Sequence, residues 1–215
     1  MVLLHDITGE TTMKFYDTPG APNPRRVRMF MAEKGISLPS VTIDLGKREN
    51  KSPEYTAINP RQRTPALELD DGTIITESMA ICRYIEALHP EPNLFGRSAV
   101  EIGTIEMWAR RLEIHFLMTV AAAFRHLHPA MAEMEVPQIK EWGEVNKARI
   151  VDELAVLDRH LEGRDFIACD RFTVADITAL VAVDFIRPTR VPVPEELVHL
   201  ARWRAAVSAR ESAKA

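Results

Sequence analysis

Cysteine is scarce in this chain: Cys82 and Cys169 are the only two in 215 residues. Two thiols so far apart neither staple a small fold nor furnish the four ligands of a structural zinc site. No metal is therefore expected, and a reducing, cytoplasmic setting is the simple reading. A basic excess is missing as well. The formal net charge of -4 leaves no surplus of Lys and Arg to neutralise phosphates, which argues against nucleic acid as the main partner. No apolar run approaches the roughly 20 residues a membrane-spanning helix requires. Residues 1–12 lack the basic start and long apolar core of a signal peptide and show no hydrophobic period. They are expected to be an extension, or the product of a mis-called start. What remains is ordinary for a globular chain, 46% apolar and 27% charged, long enough for one large or two small domains with ample core.

The most informative stretch is residues 59–78. Asn59-Pro60-Arg61-Gln62-Arg63-Thr64-Pro65 reads as a loop, Leu67 and Leu69 as a short strand, Asp71-Gly72 as a two-residue type I′ hairpin turn, and Ile74-Ile75 as the returning strand. Thr76 then suits a helix N-cap, which leaves free N–H groups at Glu77-Ser78 to hold an anion. An edge of polypeptide beside Pro65, together with an anion site one strand away, suits a short peptide bearing an α-carboxylate and an α-amine.

Around this stretch the pattern alternates. Residues 13–16 read as a buried strand. Asn23 is expected as N-cap of a helix with Pro24 at its first position, Val27, Phe30 and Met31 inside, and Gly35 ending it. Residues 38–45 supply a second strand, and Ser52-Pro53-Glu54 opens a short helical turn near Tyr55 and Ile58. After the hairpin a helix presents Ile81, Tyr84, Ile85 and Leu88. The order β-α-β-α-β-β-α predicts a mixed four-stranded sheet of thioredoxin-like order over residues 13–88. A proline-bearing linker covers 89–97, and from 98 to 210 every signal is helical. Ile102, Ile105, Ala109, Leu112 and Phe116 share one spacing, as do Ile150, Leu154, Leu157 and Leu161. Thr173 with Asp176 forms a capping box stapled by Phe172 against Ile177, expected to be structural. Leu197, Leu200, Trp203 and Val207 mark the last helix.

Thr64-Pro65 followed by Glu77-Ser78, within this strand order, resembles the glutathione site of the glutathione S-transferase superfamily, and the resemblance spans residues 13–210. It implies an α/β thioredoxin-like domain joined to an all-helical domain, glutathione as co-substrate, no metal, and a homodimer. It also implies a cis Pro65, main-chain pairing of the peptide at Thr64, and capture of its γ-glutamyl end by Glu77 and Ser78. Arg63 and Gln62 stand beside the pairing position, and Lys51 is a candidate for the glycyl carboxylate. The electrophile is expected between the domains, with Trp108, Arg111, His115, Phe116 and Met118 of the long helix as lining candidates.

The first loop, Gly20-Ala21-Pro22-Asn23-Pro24-Arg25-Arg26-Val27, is similar to the Ser-Pro-Asn-Pro-Arg-Arg-Val run of many bacterial members, but Ala21 fills the position of the catalytic Ser or Cys. A free thiol has a pKa of about 8.5, and lowering it two units takes about 2.7 kcal/mol of preferential thiolate stabilisation. Three substitutes are open: main-chain donors of Asn23, Arg25 and Arg26 at the helix start, the Asn23 amide, and the Thr18 hydroxyl. Arg187, just before Pro188, is a further candidate for steadying an anion. Arg26 is expected on a solvated face, Tyr16 in core packing, and Cys82 as a small core residue. The expected activity is glutathione transfer to small hydrophobic electrophiles. Glutathione-dependent peroxidase or isomerase chemistry is one alternative, and a non-catalytic transferase-like module, which Ala21 favours, is the other.

Overall fold

The computed structural model describes residues 12–215; the expectation for the start of the chain falls almost wholly outside them. Strand β1 (Lys14–Asp17) leads into helix α1 (Pro22–Glu33), strand β2 (Ser40–Thr42), helix α2 (Pro53–Ile58), strands β3 (Ala66–Glu68) and β4 (Ile74–Thr76), and helix α3 (Ser78–Leu88). The sheet order is β2-β1-β3-β4. β1 runs parallel to β2 and antiparallel to β3, and β4 returns antiparallel to β3, which is the mixed, thioredoxin-like sheet expected. The remainder is helical: α4 (Ala99–Arg111), a π-helical turn (Leu112–Leu117), α5 (Met118–Leu127), α6 (Lys140–His160), α7 (Val174–Asp184) and α8 (Val198–Ser208).

Two local expectations are corrected. The hairpin after β3 is a three-residue loop. Gly72 N–H donates to Leu69 O, Leu69 N–H to Thr73 O, and Gly72 has φ +83 while neither aspartate before it has positive φ. That is a type I turn followed by a left-handed glycine, which turns the strands one residue later than a type I′ loop. Thr76 belongs to β4, so Glu77 becomes the N-cap of α3. Leu88, expected on the inner face of that helix, is half exposed.

One large buried cluster runs from the sheet into the helical part, and a smaller one gathers Tyr16, Ile43, Tyr55 and Ala66. Phe15, Phe30, Leu67 and Ile81 belong to the large one, and so do Ile105, Leu154, Leu180 and Trp203. α7 is its axis, buried along its whole apolar length, because α1 packs on one side of it and α4 and α8 on the others. Its start is the expected capping box. Asp176 is fully buried and accepts from Thr173 N–H, the Thr173 hydroxyl, Ile167 N–H and Trp203 Nε1. Burial raises its carboxyl to about 6 against those four donors. Cys82 lies fully inside the core, and burial pushes its thiol up to about 12.

Candidate functional site: the cleft between the sheet domain and the helices

The first turn of α1 is organised by its prolines. Ala21, with φ -80 and ψ 139, is the N-cap, and Pro22 holds the first helical position. The helix thus begins earlier than the expected Asn23 cap, because both prolines occupy positions where no N–H is needed and a φ near -65° is already helical. A helix leaves its first four N–H groups without internal partners. Here Ala21 N–H donates to Thr18 O, Pro22 and Pro24 have none, and Asn23 N–H is left open. Arg25 N–H already donates to Ala21 O at 3.2 Å, so the expected contribution of Arg25 and Arg26 amides reduces to Asn23.

The Asn23 side chain is oriented too. Its Oδ1 accepts from Arg26 Nη2 at 2.9 Å. Arginine can only donate, so this contact fixes which end of the amide faces Arg26 and leaves Nδ2 for another acceptor. Arg26 itself is 3% exposed, not solvated, because the helical part covers the outer side of α1. Its Nη2 also donates to Glu113 of the π turn at 2.9 Å, while Nε and Nη1 have no partner among the described residues. Arg25 reaches Asp184 at the end of α7.

Thr18 is buried, and its hydroxyl donates to Ile43 O at 2.9 Å. With its one proton committed, Thr18 is the acceptor of the 3.0 Å contact with Thr64 Oγ1. Tyr16 donates to Glu68 at 2.6 Å; burial, then that carboxylate, raises its hydroxyl to about 12. It packs edge-on against Tyr55, in core as expected.

Thr64–Pro65 is a cis peptide, and among the described residues no hydrogen bond engages the Thr64 main chain just before β3. The loop that presents it is pinned from below by residues the sequence reading gave no role. Tyr55 OH and Asn59 Nδ2 each donate to Arg63 O at 2.7 Å, and Asn50 Nδ2 donates to Gln62 O at 2.9 Å. Gln62 sits at φ +56 with its Nε2 donated to Thr56. One β-pairing away, Glu77 holds φ +67 and ψ 116, an uncommon conformation for a side-chain-bearing residue that clusters at functional sites. It turns the chain from β4 into α3 and exposes its own carboxylate, while Ser78 is buried at the open helix start. Lys51 ends a 3₁₀ turn (Glu49–Lys51) and is exposed, as is Arg63.

Arg125 on α5 was missed by sequence reasoning. It is partly buried, and that burial, followed by the charge of Arg63, holds its guanidinium below the ordinary value. Two like charges thus face one another across the domain boundary. Beside them Phe124 stacks edge-on with Phe185 at 5.2 Å, and Phe185 follows the Asp184 that Arg25 grips. Arg187 is exposed at the start of a 3₁₀ turn (Arg187–Thr189). Trp108, Arg111, His115 and Phe116 are brought together, but around a cavity completed by α6 and by no residue of the first loop. Met118 is half exposed and outside that lining. Among the described residues no group of three or more His, Cys, Asp or Glu is placed to hold a metal ion, and no helix is long and apolar enough to cross a membrane.

Comparison with known proteins places this geometry. A family model described as "Glutathione S-transferase, N-terminal domain" matches residues 11–87, and one described as "Glutathione S-transferase, C-terminal domain" matches residues 107–211. The chain is 40% identical over 205 residues to glutathione S-transferase 2 of Saccharomyces cerevisiae, covering 94% of this chain and 88% of that one. Its fold is similar to the crystal structure of Gtt2 from Saccharomyces cerevisiae (TM-score 0.89, 39% identity, 94% of this chain and 98% of that one). It is equally similar to a glutathione S-transferase domain-containing protein of Marinobacter aquaeolei VT8 (TM-score 0.89, 39% identity, 93% and 98%).

Proposed function

Since the chain belongs to the glutathione S-transferase family, we propose that it activates the glutathione thiol for attack on small hydrophobic electrophiles with Asn23 in place of the usual hydroxyl or thiol. The observation that carries this reading is the open N–H of Asn23, the one donor left in the first turn of α1 directly after Ala21. A hydrogen bond to a charged acceptor contributes about 1.5–3 kcal/mol, and a helix N-terminus about 0.3–1 kcal/mol. The main-chain donor, assisted by Nδ2 of the same residue, reaches the scale of a two-unit fall in thiol pKa.

In this reading the cysteinyl unit pairs with the main chain of Thr64 beside cis Pro65. The γ-glutamyl carboxylate sits on the start of α3 at Ser78, and its amine meets the Glu77 carboxylate. The glycyl carboxylate lies among Arg63, Arg125 and Lys51, where an anion relieves the repulsion between the two guanidinium groups. Gln62 holds the loop through Thr56. The electrophile lies against Phe124 and Phe185, with Arg187 at the margin. Residues 13–88 form the glutathione domain, 89–97 the linker and 98–210 the helical domain. The protein acts as a cytoplasmic homodimer without a metal.

The test is a pH titration of bound glutathione by ultraviolet thiolate absorbance. Preferential binding of the thiolate lowers the thiol pKa, so absorbance rises at lower pH than for the free peptide. An unshifted titration with glutathione bound overturns thiolate activation. Ala21 then favours the non-catalytic reading, and failure to bind glutathione at all removes the peroxidase and isomerase readings too.

A further inference from the structure

Arg26 lies inside the protein, while Arg25 and Arg28 on the same helix are partly exposed. Its Nη2 serves two acceptors, Asn23 Oδ1 and Glu113 Oε1, each at 2.9 Å. A guanidinium holds its N–H groups in one rigid plane, two on each Nη. Both donors of Nη2 are therefore committed, and the direction of one sets the direction of the other. Nε and Nη1 have no partner among the described residues, so Glu113 is the acceptor that orients this guanidinium toward Asn23.

Glu113 is itself fixed from a second side. Its Oε2 accepts from Arg110 Nη1 at 3.0 Å, and Arg110 Nε donates to Glu106 Oε1 at 2.8 Å. Glu106 also pairs with Arg83 of α3. Alternating charges thus run from α3 along α4 to Arg26 and end on the Asn23 amide. Glu113 lies in the π turn, and its own carbonyl takes the Met118 N–H. The buried face reads Ile105, Ala109, Leu112 and Phe116 up to this turn, and Leu117, Val120 and Ala123 beyond it, displaced by a single position. Such turns are rare and recur at functional sites. This one carries the carboxylate that meets α1.

We propose, resting on the reading that Asn23 donates to the thiolate, that Glu113 acts through Arg26 as a positioning residue for thiol activation. It holds the amide with Nδ2 toward the sulfur and Oδ1 away from it. Turned over, the amide would present Oδ1, an acceptor only, to an anion. A donor fixed in advance stabilises charge more than one that must turn as the charge forms. The sheet domain thus supplies the donor, and the helical domain aims it. Other charged or ionisable groups beside Arg26 are engaged or neutral: Arg25 is taken by Asp184 and Ala213 O, and burial pushes the Cys82 thiol on the α3 side up to about 12. Charge and position predict opposite signs for the loss of Glu113. Removing a nearby carboxylate favours the thiolate and lowers the thiol pKa, whereas releasing Asn23 weakens its hydrogen bond and raises it.

The experiment is ultraviolet titration of bound glutathione on the full chain carrying Glu113→Ala, Asn23→Ala, or both. Glu113→Ala is expected to raise the bound-thiol pKa by about 0.5 unit or more. Glutathione affinity stays within about twofold of the parent, because Thr64, Glu77 and Ser78 are untouched. Turnover falls about threefold below that pKa and recovers above it. Glu113→Gln, which keeps an acceptor for Arg26, recovers at least about half of the rise. Glu113→Asp keeps the charge and shortens the reach, so it also raises the pKa and serves if the alanine variant is too unstable to titrate. In the Asn23→Ala background Glu113→Ala adds nothing, because the two act as one unit. A lowered or unchanged pKa in the Glu113 variants, or a rise that persists in full without the Asn23 amide, overturns the proposal. If Asn23→Ala alone raises the pKa and the Glu113 variants do not, Asn23 keeps its role and only Glu113 loses its own. If Asn23→Ala leaves the pKa unmoved, both roles fall.

Discussion

Thr18 Oγ1 stands 3.0 Å from Thr64 Oγ1 and 2.9 Å from the carbonyl of Ile43. One buried hydroxyl therefore ties the loop after β1 to the residue before cis Pro65 and to the edge of β2. Its proton goes to Ile43, so Thr18 positions the peptide-pairing loop and has nothing to donate to a thiolate. Thr18→Val is expected to raise the KM for glutathione about fivefold, the scale of one hydrogen bond near 1 kcal/mol. The bound-thiol pKa should stay within about 0.3 unit of the parent, less than 0.5 kcal/mol. Thiolate absorbance as a function of pH checks this, and a large rise in pKa would reassign Thr18 to the thiolate.

Asn23 has two donors to remove. Asn23→Ala deletes Nδ2 and keeps the main-chain N–H, so the bound thiol pKa should rise by about one unit, near 1.4 kcal/mol. Glutathione turnover should fall about tenfold at pH values below that pKa and recover above it. A uniform loss at every pH would show instead that Asn23 serves only to hold Arg26.

Glu77 is held at φ +67, and such a residue stores about 1–3 kcal/mol that its surroundings must offset. Glu77→Gly relieves the strain and removes the carboxylate in one step. Thermal unfolding should shift upward by a few degrees, on the order of 1 kcal/mol, while glutathione affinity falls about tenfold or more. A lower melting temperature with unchanged affinity would refute both halves.

The Arg26–Glu113 pair joins α1 to the π turn across the domain boundary. Glu113→Ala strands a guanidinium that is 3% exposed and already has two unpartnered nitrogens. Breaking a fully buried pair costs about 3–5 kcal/mol. Glu113 is partly exposed, so about 2 kcal/mol is expected here, a fall of about 4–8 °C in Tm. Scanning calorimetry checks the value; no change would mean that water replaces the carboxylate fully.

Asp176 closes the capping box and receives Trp203 Nε1 from α8 at 3.0 Å. Asp176→Ala leaves several buried donors unpaired at about 1–3 kcal/mol each. The variant should lose about 10 °C or more in Tm, with turnover per folded molecule unaltered at low temperature. Selective loss of turnover at full stability would place Asp176 in catalysis.

Much of this protein was legible in the sequence because the signals were local. The capping box of α7 needs only Thr173 and Asp176, the spacing of Ile150, Leu154 and Leu157 suffices for the inner face of α6, and the strand-helix order follows from periodicity and from proline and glycine punctuation. Thr64-Pro65 and Glu77-Ser78 stood out for the same reason. The rest depended on partners far along the chain. Arg26 is buried because Glu113, 87 residues away, is folded against it. Arg125 matters through Arg63 of the other domain. His115 sits in the π turn, whose extra residue no helical period announces. Asn23 lost its expected cap role because Pro22 starts the helix sooner, and gained a different one once Arg26 turned its amide. Sequence alone fixes what each short segment prefers. Which side chains are desolvated, and which donors remain open, is decided only when distant segments pack, because burial and charge pairing belong to neighbours in space.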